Sequence, residues 1–348
     1  MDLLVPKALA PGSRIGIFTP SSPAYRDNEE LFRNGIRNLE RLGFRVKLGS
    51  VTERRGSEGY RSATPEARAR EFMDLIEDEN VDGLIATIGG TNSNSLVPFL
   101  DFEAIRKNPK VVCGYSDVTS LHLAILHYSG LRTFYGPAAM TWFGDWPDGI
   151  PESDESFLDA VRRHFRGTRT LRPFPRWSNH RRPWATGEWK SVPREWRENA
   201  GWKVLQPGNA EAPIVLANLS TLISAAGTPY FPDLRGKILL VESMSAAFST
   251  EERNLRQLQL MGVFDEIAGL LVGKPEWPDA QGAPFSHNDL ILEIVGRKRK
   301  YPVVTEFDCA HTVPMLTIAQ MTPMKIAATD GEVSVEILEP MVRASETD

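Results

Sequence analysis

The stretch Lys110-Val-Val-Cys-Gly-Tyr-Ser-Asp-Val-Thr-Ser-Leu-His-Leu-Ala-Ile-Leu126 passes from an apolar strand pattern, through one glycine and Ser116, into a helical pattern. A serine on a tight strand-to-helix turn has its hydroxyl pushed out of the fold, and the amides of the next helical turn point toward it. Such amides can stabilise the oxyanion that forms when a hydroxyl attacks a carbonyl. The turn departs from the usual G-x-S-x-G elbow, because Val118 stands at the last glycine position. On local sequence Ser116 has two readings, a nucleophile or the N-cap of an ordinary helix.

On either side of this unit, strand and helix patterns alternate through the first third of the chain. Residues 14–19, 44–48, 81–88 and 133–135 read as strands, and 28–42 and 65–79 as helices. Leu31, Phe32, Ile36, Leu39 and Leu42 recur at helical spacing, and Pro65 sits where a missing N–H costs little. Repeated β-α units of this length favour a doubly wound parallel sheet, whose ligand site lies beyond the carboxyl ends of its strands. Ser116 and Gly89-Gly90 both fall at such ends.

From about Phe143 to Gly208 the pattern collapses into a stretch rich in Trp, Pro and Arg, including Trp177, Trp184, Trp189, Trp196 and Trp202. A long irregular segment of this kind is usually a functional loop or a connection between domains. The expected division is therefore an α/β domain over residues 1–168, a Trp-rich connection over 169–208, and a second domain over 209–348. In the last, 213–219, 237–242, 267–272, 303–308, 325–328 and 333–338 read as strands. Ser249-Thr-Glu-Glu252 reads as a capping box for a helix ending at Gly262.

Composition limits the function classes. The 348 residues are 41% hydrophobic and 24% charged, with a net charge of −5. That balance argues against nucleic acid as a partner, and the cluster Arg297-Lys-Arg-Lys300 reads as a solvated helix end. Only two cysteines occur, Cys113 and Cys309, each in or beside an apolar run, which fits a reducing compartment without disulfides. Asp2, Pro6, Lys7 and Pro11 interrupt any signal-peptide segment, and no run approaches the ~20 apolar residues needed to cross a bilayer. A cytoplasmic protein without a membrane partner is expected.

A serine hydroxyl needs an adjacent base to act as a nucleophile. His122 and His127 share the helix of Ser116, at offsets that do not bring either ring back over its first turn. His164 and His180 stand in arginine-rich surroundings that suggest the surface, and His287 precedes a helix. His311 differs, because Cys309-Ala-His-Thr-Val-Pro-Met315 is a turn just past the carboxyl end of an apolar strand. It reads either as a base or as a turn histidine bonded to nearby backbone. An orienting carboxylate would hold its tautomer. Glu242 closes the strand Lys237-Ile-Leu-Leu-Val-Glu242; Asp308 is too close to His311 along the chain, and Asp117 reads as a complement to its own helix N-terminus. No G-x-G-x-x-G, Walker loop, H-E-x-x-H or paired C-x-x-C is present, so neither a metal nor a cofactor is expected.

Together, Ile88-Gly-Gly-Thr-Asn-Ser-Asn-Ser-Leu96, Gly114-Tyr-Ser-Asp117, Asn218-Leu-Ser-Thr-Leu222, Glu242, Gly273-Lys-Pro-Glu276 and Asp308-Cys-Ala-His-Thr-Val-Pro-Met315 resemble the serine peptidases of the LD-carboxypeptidase family, closest to the microcin C immunity branch. The resemblance implies a Rossmann-like N-terminal domain and a β-rich, barrel-like C-terminal domain, usually as a homodimer. It implies a Ser116-His311-Glu242 triad and an oxyanion hole from the Gly90 and Asp117 amides. Trp184 and Trp189 become candidates to stack on a nucleobase, and Asn92, Asn218 and Glu276 candidates to touch the substrate. The chain departs from the family at Leu216-Ala-Asn218, where Gly-Gly-Asn is common, at Val313, where a histidine is common, and at Gln320, where glycine is frequent. The expected function is hydrolysis of the amide or acyl link in peptidyl- or aminoacyl-nucleotides, for self-immunity or detoxification. Muropeptide carboxypeptidase action and non-catalytic binding of a small ligand are the alternatives.

Overall fold

A computed structural model describes residues 2–344 except 163, 164, 166, 246 and 298, so the expectation for His164 lies outside the described residues. Five parallel strands, β1 (Arg14–Phe18), β2 (Arg45–Leu48), β3 (Gly83–Ala86), β4 (Val111–Gly114) and β5 (Phe134–Tyr135), lie in the order β2-β1-β3-β4-β5. β3 and β4 are buried along their whole length, which is why their sequences show no polar alternation. The order reverses between β1 and β3, and in a doubly wound sheet such a reversal opens a crevice at the carboxyl ends.

The connecting region supplies β6 (Arg169–Leu171), β7 (Arg176–Trp177), β8 (Arg197–Glu198) and β9 (Lys203–Gln206). After it come β10 (Gly208–Asn218), β11 (Ile238–Glu242), β12 (Gly269–Gly273), β13 (Val303–Phe307), β14 (Ile318–Ala319), β15 (Pro323–Ala328) and β16 (Val333–Ile337). A second, eight-stranded sheet has the order β6-β16-β15-β10-β11-β12-β13-β9, parallel from β10 to β13 and antiparallel on both flanks. This is the β-rich second half, and the region expected to be irregular forms both of its edges. That region also contains a helix, Pro151–Arg162, that the sequence pattern concealed. Phe157, Ala160 and Val161 are buried on it, but so are Ser153, Asp154 and Asp159, which blur the apolar period.

The halves are not independent. β14 leaves the second half and pairs antiparallel with β5, Ile318 opposite Tyr135. Ile17, Phe134, Leu216, Leu240, Phe307 and Ile318 belong to one continuous buried cluster drawn from both sheets. The Thr119–Ser129 helix is buried on nearly every side, as a helix apolar all round must be. Its Leu121 and Ile125 pack into the first half, while Leu123 packs into the second.

One local expectation fails. The Phe248–Leu260 helix begins after Ala247, so Ser249 lies inside the first turn and caps nothing. A bridge between Ala247 and Asp279, with Phe248 N–H bonded to Asp279 O at 2.9 Å, starts the helix early. The reciprocal capping box forms instead between Ser286 and Asp289, ahead of the His287–Val295 helix.

Leu240 is fully buried in the shared cluster. Leu240→Ala should therefore cost about 2–5 kcal/mol of stability. Urea denaturation followed by tryptophan fluorescence measures it.

Candidate active site

Ser116 follows β4 and Tyr115, and opens a 3-10 turn, Ser116–Val118, that feeds the Thr119–Ser129 helix. Its φ is 60°, a left-handed conformation uncommon outside glycine and found where the surroundings enforce it. The Ser116 N–H donates to the Tyr135 hydroxyl at 3.1 Å. Behind the turn, His122 Nε2 donates to Gly114 O at 2.9 Å, and burial pushes its pKa down to about 4. His122 is thus a neutral support of the elbow.

Of the glycine pair after β3, Gly89 packs tightly against this turn and Gly90 against Ser21. A Cβ on Gly89 would sit 3.2 Å from Ser116 Oγ, and one on Gly90, whose φ is 155°, only 2.2 Å from Ser21 Oγ. The same Ser21 oxygen accepts from Thr91 N and Asn92 N at 3.0 and 3.1 Å. Asp117 stands in the first turn of its own helix, as expected, and also serves a second one. Its Oδ2 accepts from Asn92 N and Ser93 N, both at 2.9 Å, and so fixes the start of the neighbouring 3-10 helix Ser93–Phe99. Among the described residues the Gly90 and Asp117 amides meet no acceptor.

Across the crevice, Glu242 ends β11 with 1% exposure. Its Oε2 lies 2.5 Å from His311 Nδ1, and its Oε1 accepts from Tyr135 Oη at 2.6 Å and Asn218 Nδ2 at 3.1 Å. Burial opposes a charge on His311, but Glu242 outweighs it and holds the imidazole pKa above its usual value. The His311 ring packs edge-on against Tyr115, centroids 4.8 Å apart, directly beside Ser116. Among the described residues no hydrogen bond joins the Ser116 hydroxyl to His311.

His311 and Tyr115 open onto a cavity of about 550 Å³ lined also by Trp184, Trp189, Trp277 and Glu276. Trp189 is buried against Trp146, ring centroids 6.0 Å apart, whereas Trp184 is half-buried. Glu276 is pushed up to about 8, chiefly by burial and then by Glu242, with His311, Arg181 and Arg194 pulling the other way. Arg182 and Arg194 share the single carboxylate of Asp145 in the cavity wall. His180 is partly exposed and lines the cavity, its Nδ1 accepting from Glu195 N at 3.1 Å.

Asn218 and Asn92 lie outside the lining of this cavity. The Asn218 side chain is fully engaged: Oδ1 accepts from Thr221 N and Ser220 Oγ, and Nδ2 donates to Glu242. Asn92 Oδ1 accepts from Arg68 at 2.6 Å. Both hold the frame of the site. Tyr135 and Trp277 were invisible to sequence reasoning; Trp277 beside Glu276 in a matched motif was the one available clue. Among the described residues no group of three or more His, Cys, Asp or Glu side chains could hold a metal ion.

The model of the LD-carboxypeptidase N-terminal domain matches residues 15–136, and that of the C-terminal domain matches residues 211–326. The chain belongs to the LD-carboxypeptidase family. It is a serine peptidase-like enzyme. The microcin C7 self-immunity protein of Escherichia coli is 34% identical, over 95% of each chain. A putative carboxypeptidase of Vibrio cholerae is 36% identical, over 94% of this chain and 95% of its own. The solved structure of the microcin C7 self-immunity protein with aspartyl sulfamoyl adenosine superposes with a TM-score of 0.91 at 34% identity, covering 98% of this chain and 100% of that one.

Against the family pattern, the departures fall into two contacts. Gln320, in place of the frequent glycine, bonds both backbone groups of Leu216, accepting from its N–H at 3.0 Å and donating to its carbonyl at 2.7 Å. Two of the altered positions thus meet each other. Val313 pairs with Ser178 through two backbone hydrogen bonds of 2.7 and 3.1 Å, tying the His311 turn to the tryptophan-rich loop. A second tie is Asp308, the carboxylate discounted as a partner for His311. It accepts from Lys274 Nζ at 2.9 Å, Trp202 Nε1 at 3.0 Å and Asn199 Nδ2 at 3.2 Å.

The Lys274 side chain is 2% exposed and that of Asp308 1%. Removing one member of such a pair strands a buried charge, at a cost of roughly 3–5 kcal/mol. Asp308→Ala should lose about that in chemical denaturation. Trypsin should also cut within residues 169–208 faster than in the parent protein.

Proposed function

We propose that this enzyme hydrolyses the amide or acyl link of aminoacyl- or peptidyl-nucleotides and their sulfamoyl analogues, using Ser116, His311 and Glu242. The observation that carries the reading is the Glu242–His311 hydrogen bond at the mouth of an indole-lined cavity, beside the strained Ser116 turn. The chemistry follows. His311 Nε2 takes the Ser116 proton as Oγ attacks the carbonyl, while Nδ1–H stays on Glu242, which stabilises the imidazolium. The Gly90 and Asp117 amides, lacking protein acceptors, take the oxyanion. The imidazolium then protonates the leaving nitrogen or oxygen, an acyl-Ser116 ester remains, and a water deprotonated by His311 releases the acid.

Substrate class rests on the aromatic walls and on the relative that holds aspartyl sulfamoyl adenosine. Trp184 is the proposed base-stacking residue, because Trp189 already packs on Trp146. Glu276, with a pKa of about 8, stays protonated at neutral pH and can donate a hydrogen bond to bound ligand. Removal of a toxic aminoacyl-nucleotide from the cell is the biological role proposed.

Aspartyl sulfamoyl adenosine serves as the test substrate. Ser116→Ala should lower kcat by ~10⁴-fold or more, and an unchanged rate would sink the triad. Trp184→Ala should weaken binding by about 1–3 kcal/mol, roughly 5- to 150-fold in KM. Faster turnover of a muropeptide tetrapeptide than of the nucleotide would favour cell-wall recycling instead. Because Glu242 holds the His311 pKa above its usual 6.5, the neutral base appears only as pH rises through that higher value. The acidic limb of kcat/KM should therefore lie above pH 6.5, and a midpoint below that value would contradict the role given to Glu242.

A further inference from the structure

Tyr135 sits where the two halves meet and has no place in the chemistry above. It ends β5, opposite Gly114 of β4 on one side and Ile318 of β14 on the other, and is fully buried. Its hydroxyl touches two groups. The Ser116 backbone N–H, 3.1 Å away, can only donate, so the phenol oxygen accepts there. The phenol proton is then left for Glu242 Oε1 at 2.6 Å. Burial first, and Glu242 second, raise the phenol pKa well above 10, so the hydroxyl keeps that proton.

We propose that Tyr135 is a positioning residue that couples the nucleophile turn to the base-orienting carboxylate through one hydroxyl. The inference rests on the triad proposed above. A phenylalanine would fill the same core space, and a buried hydroxyl is unfavourable unless both of its bonds are made. Here both are made, and to the two groups whose relative position the chemistry needs. One end gives the left-handed Ser116 its amide acceptor. The other competes with His311 for the negative charge of Glu242. Tyr135 thereby sets how strongly Glu242 favours the imidazolium. The remaining groups around the pair are Asn218, which donates to the same Glu242 oxygen, His122 against the Tyr135 ring, Glu276 with Arg181 and Arg194, Tyr115, and Cys309 with Asp308.

Tyr135→Phe isolates the effect. With the donor gone, Glu242 holds the imidazolium more tightly, so the His311 titration read by NMR in the substrate-free protein should move to higher pH by about half a pH unit or more. On aspartyl sulfamoyl adenosine, kcat should fall about 10- to 100-fold with KM within about two-fold, as expected for loss of orientation without loss of binding. A loss of activity that only tracks a lower Tm, with the His311 titration unmoved, would overturn the proposal and leave Tyr135 as packing. Should Tyr135→Phe fail to fold, 3-fluorotyrosine at position 135 keeps the ring and strengthens the donor. It should move the His311 titration the opposite way, to lower pH, and no movement would again overturn the proposal. Ser116→Ala run alongside separates the two readings. If it stays active the triad is wrong, whereas an inactive Ser116→Ala beside an unaltered Tyr135→Phe removes only the role of Tyr135.

Discussion

A carboxylate with 1% exposure, at the end of a strand in the protein interior, has to be surrounded by donors. Glu242 meets that requirement with three: an imidazole from the turn after β13, a phenol from β5, and an amide from the end of β10. Each comes from a different part of the chain, and Tyr135 comes from the other half. Satisfying this one charge therefore fixes where β5, β10 and the His311 turn can lie relative to β11. An unmet lone pair at this depth would cost more than most single apolar contacts return.

The architecture answers that demand by opposing two parallel sheet centres. Ser116 and Gly89-Gly90 leave the carboxyl ends of β4 and β3, while Glu242 and Asn218 close β11 and β10. The connecting region then wraps the crevice, being fastened by Asp308 below and by the Ser178–Val313 pairing above. The cavity walls formed by Trp184, Trp189 and Arg194 come from this wrapped segment. Their position depends on ties made within five residues of His311.

Much of this was legible in the sequence, for a physical reason. Residues such as Ser116, Glu242 and His311 interrupt or end apolar runs, and the carboxyl ends of buried strands are where polar side chains become useful. Family motifs in order then paired them, and the structure brings Glu242 and His311 into contact. Other features left no such trace. Residues 133–135 read as a short strand, and only the fold reveals which groups the Tyr135 hydroxyl meets. Asn218 enters through a family motif, and only the fold shows that its amide also serves the buried Glu242 carboxylate. The Pro151–Arg162 helix was hidden by buried aspartates, and the roles of Gln320 and Val313 depend on partners more than a hundred residues away.

The strand Ile318–Ala319 makes the molecule topologically braided. A chain severed between the two family domains would leave the first piece with β5 as a bare rim, its peptide groups open to any passing strand. The second piece would carry an orphaned β14 with nothing to bind. Exchange of whole halves between relatives therefore has to preserve the match between the β5 rim of one and the short C-terminal ribbon of the other.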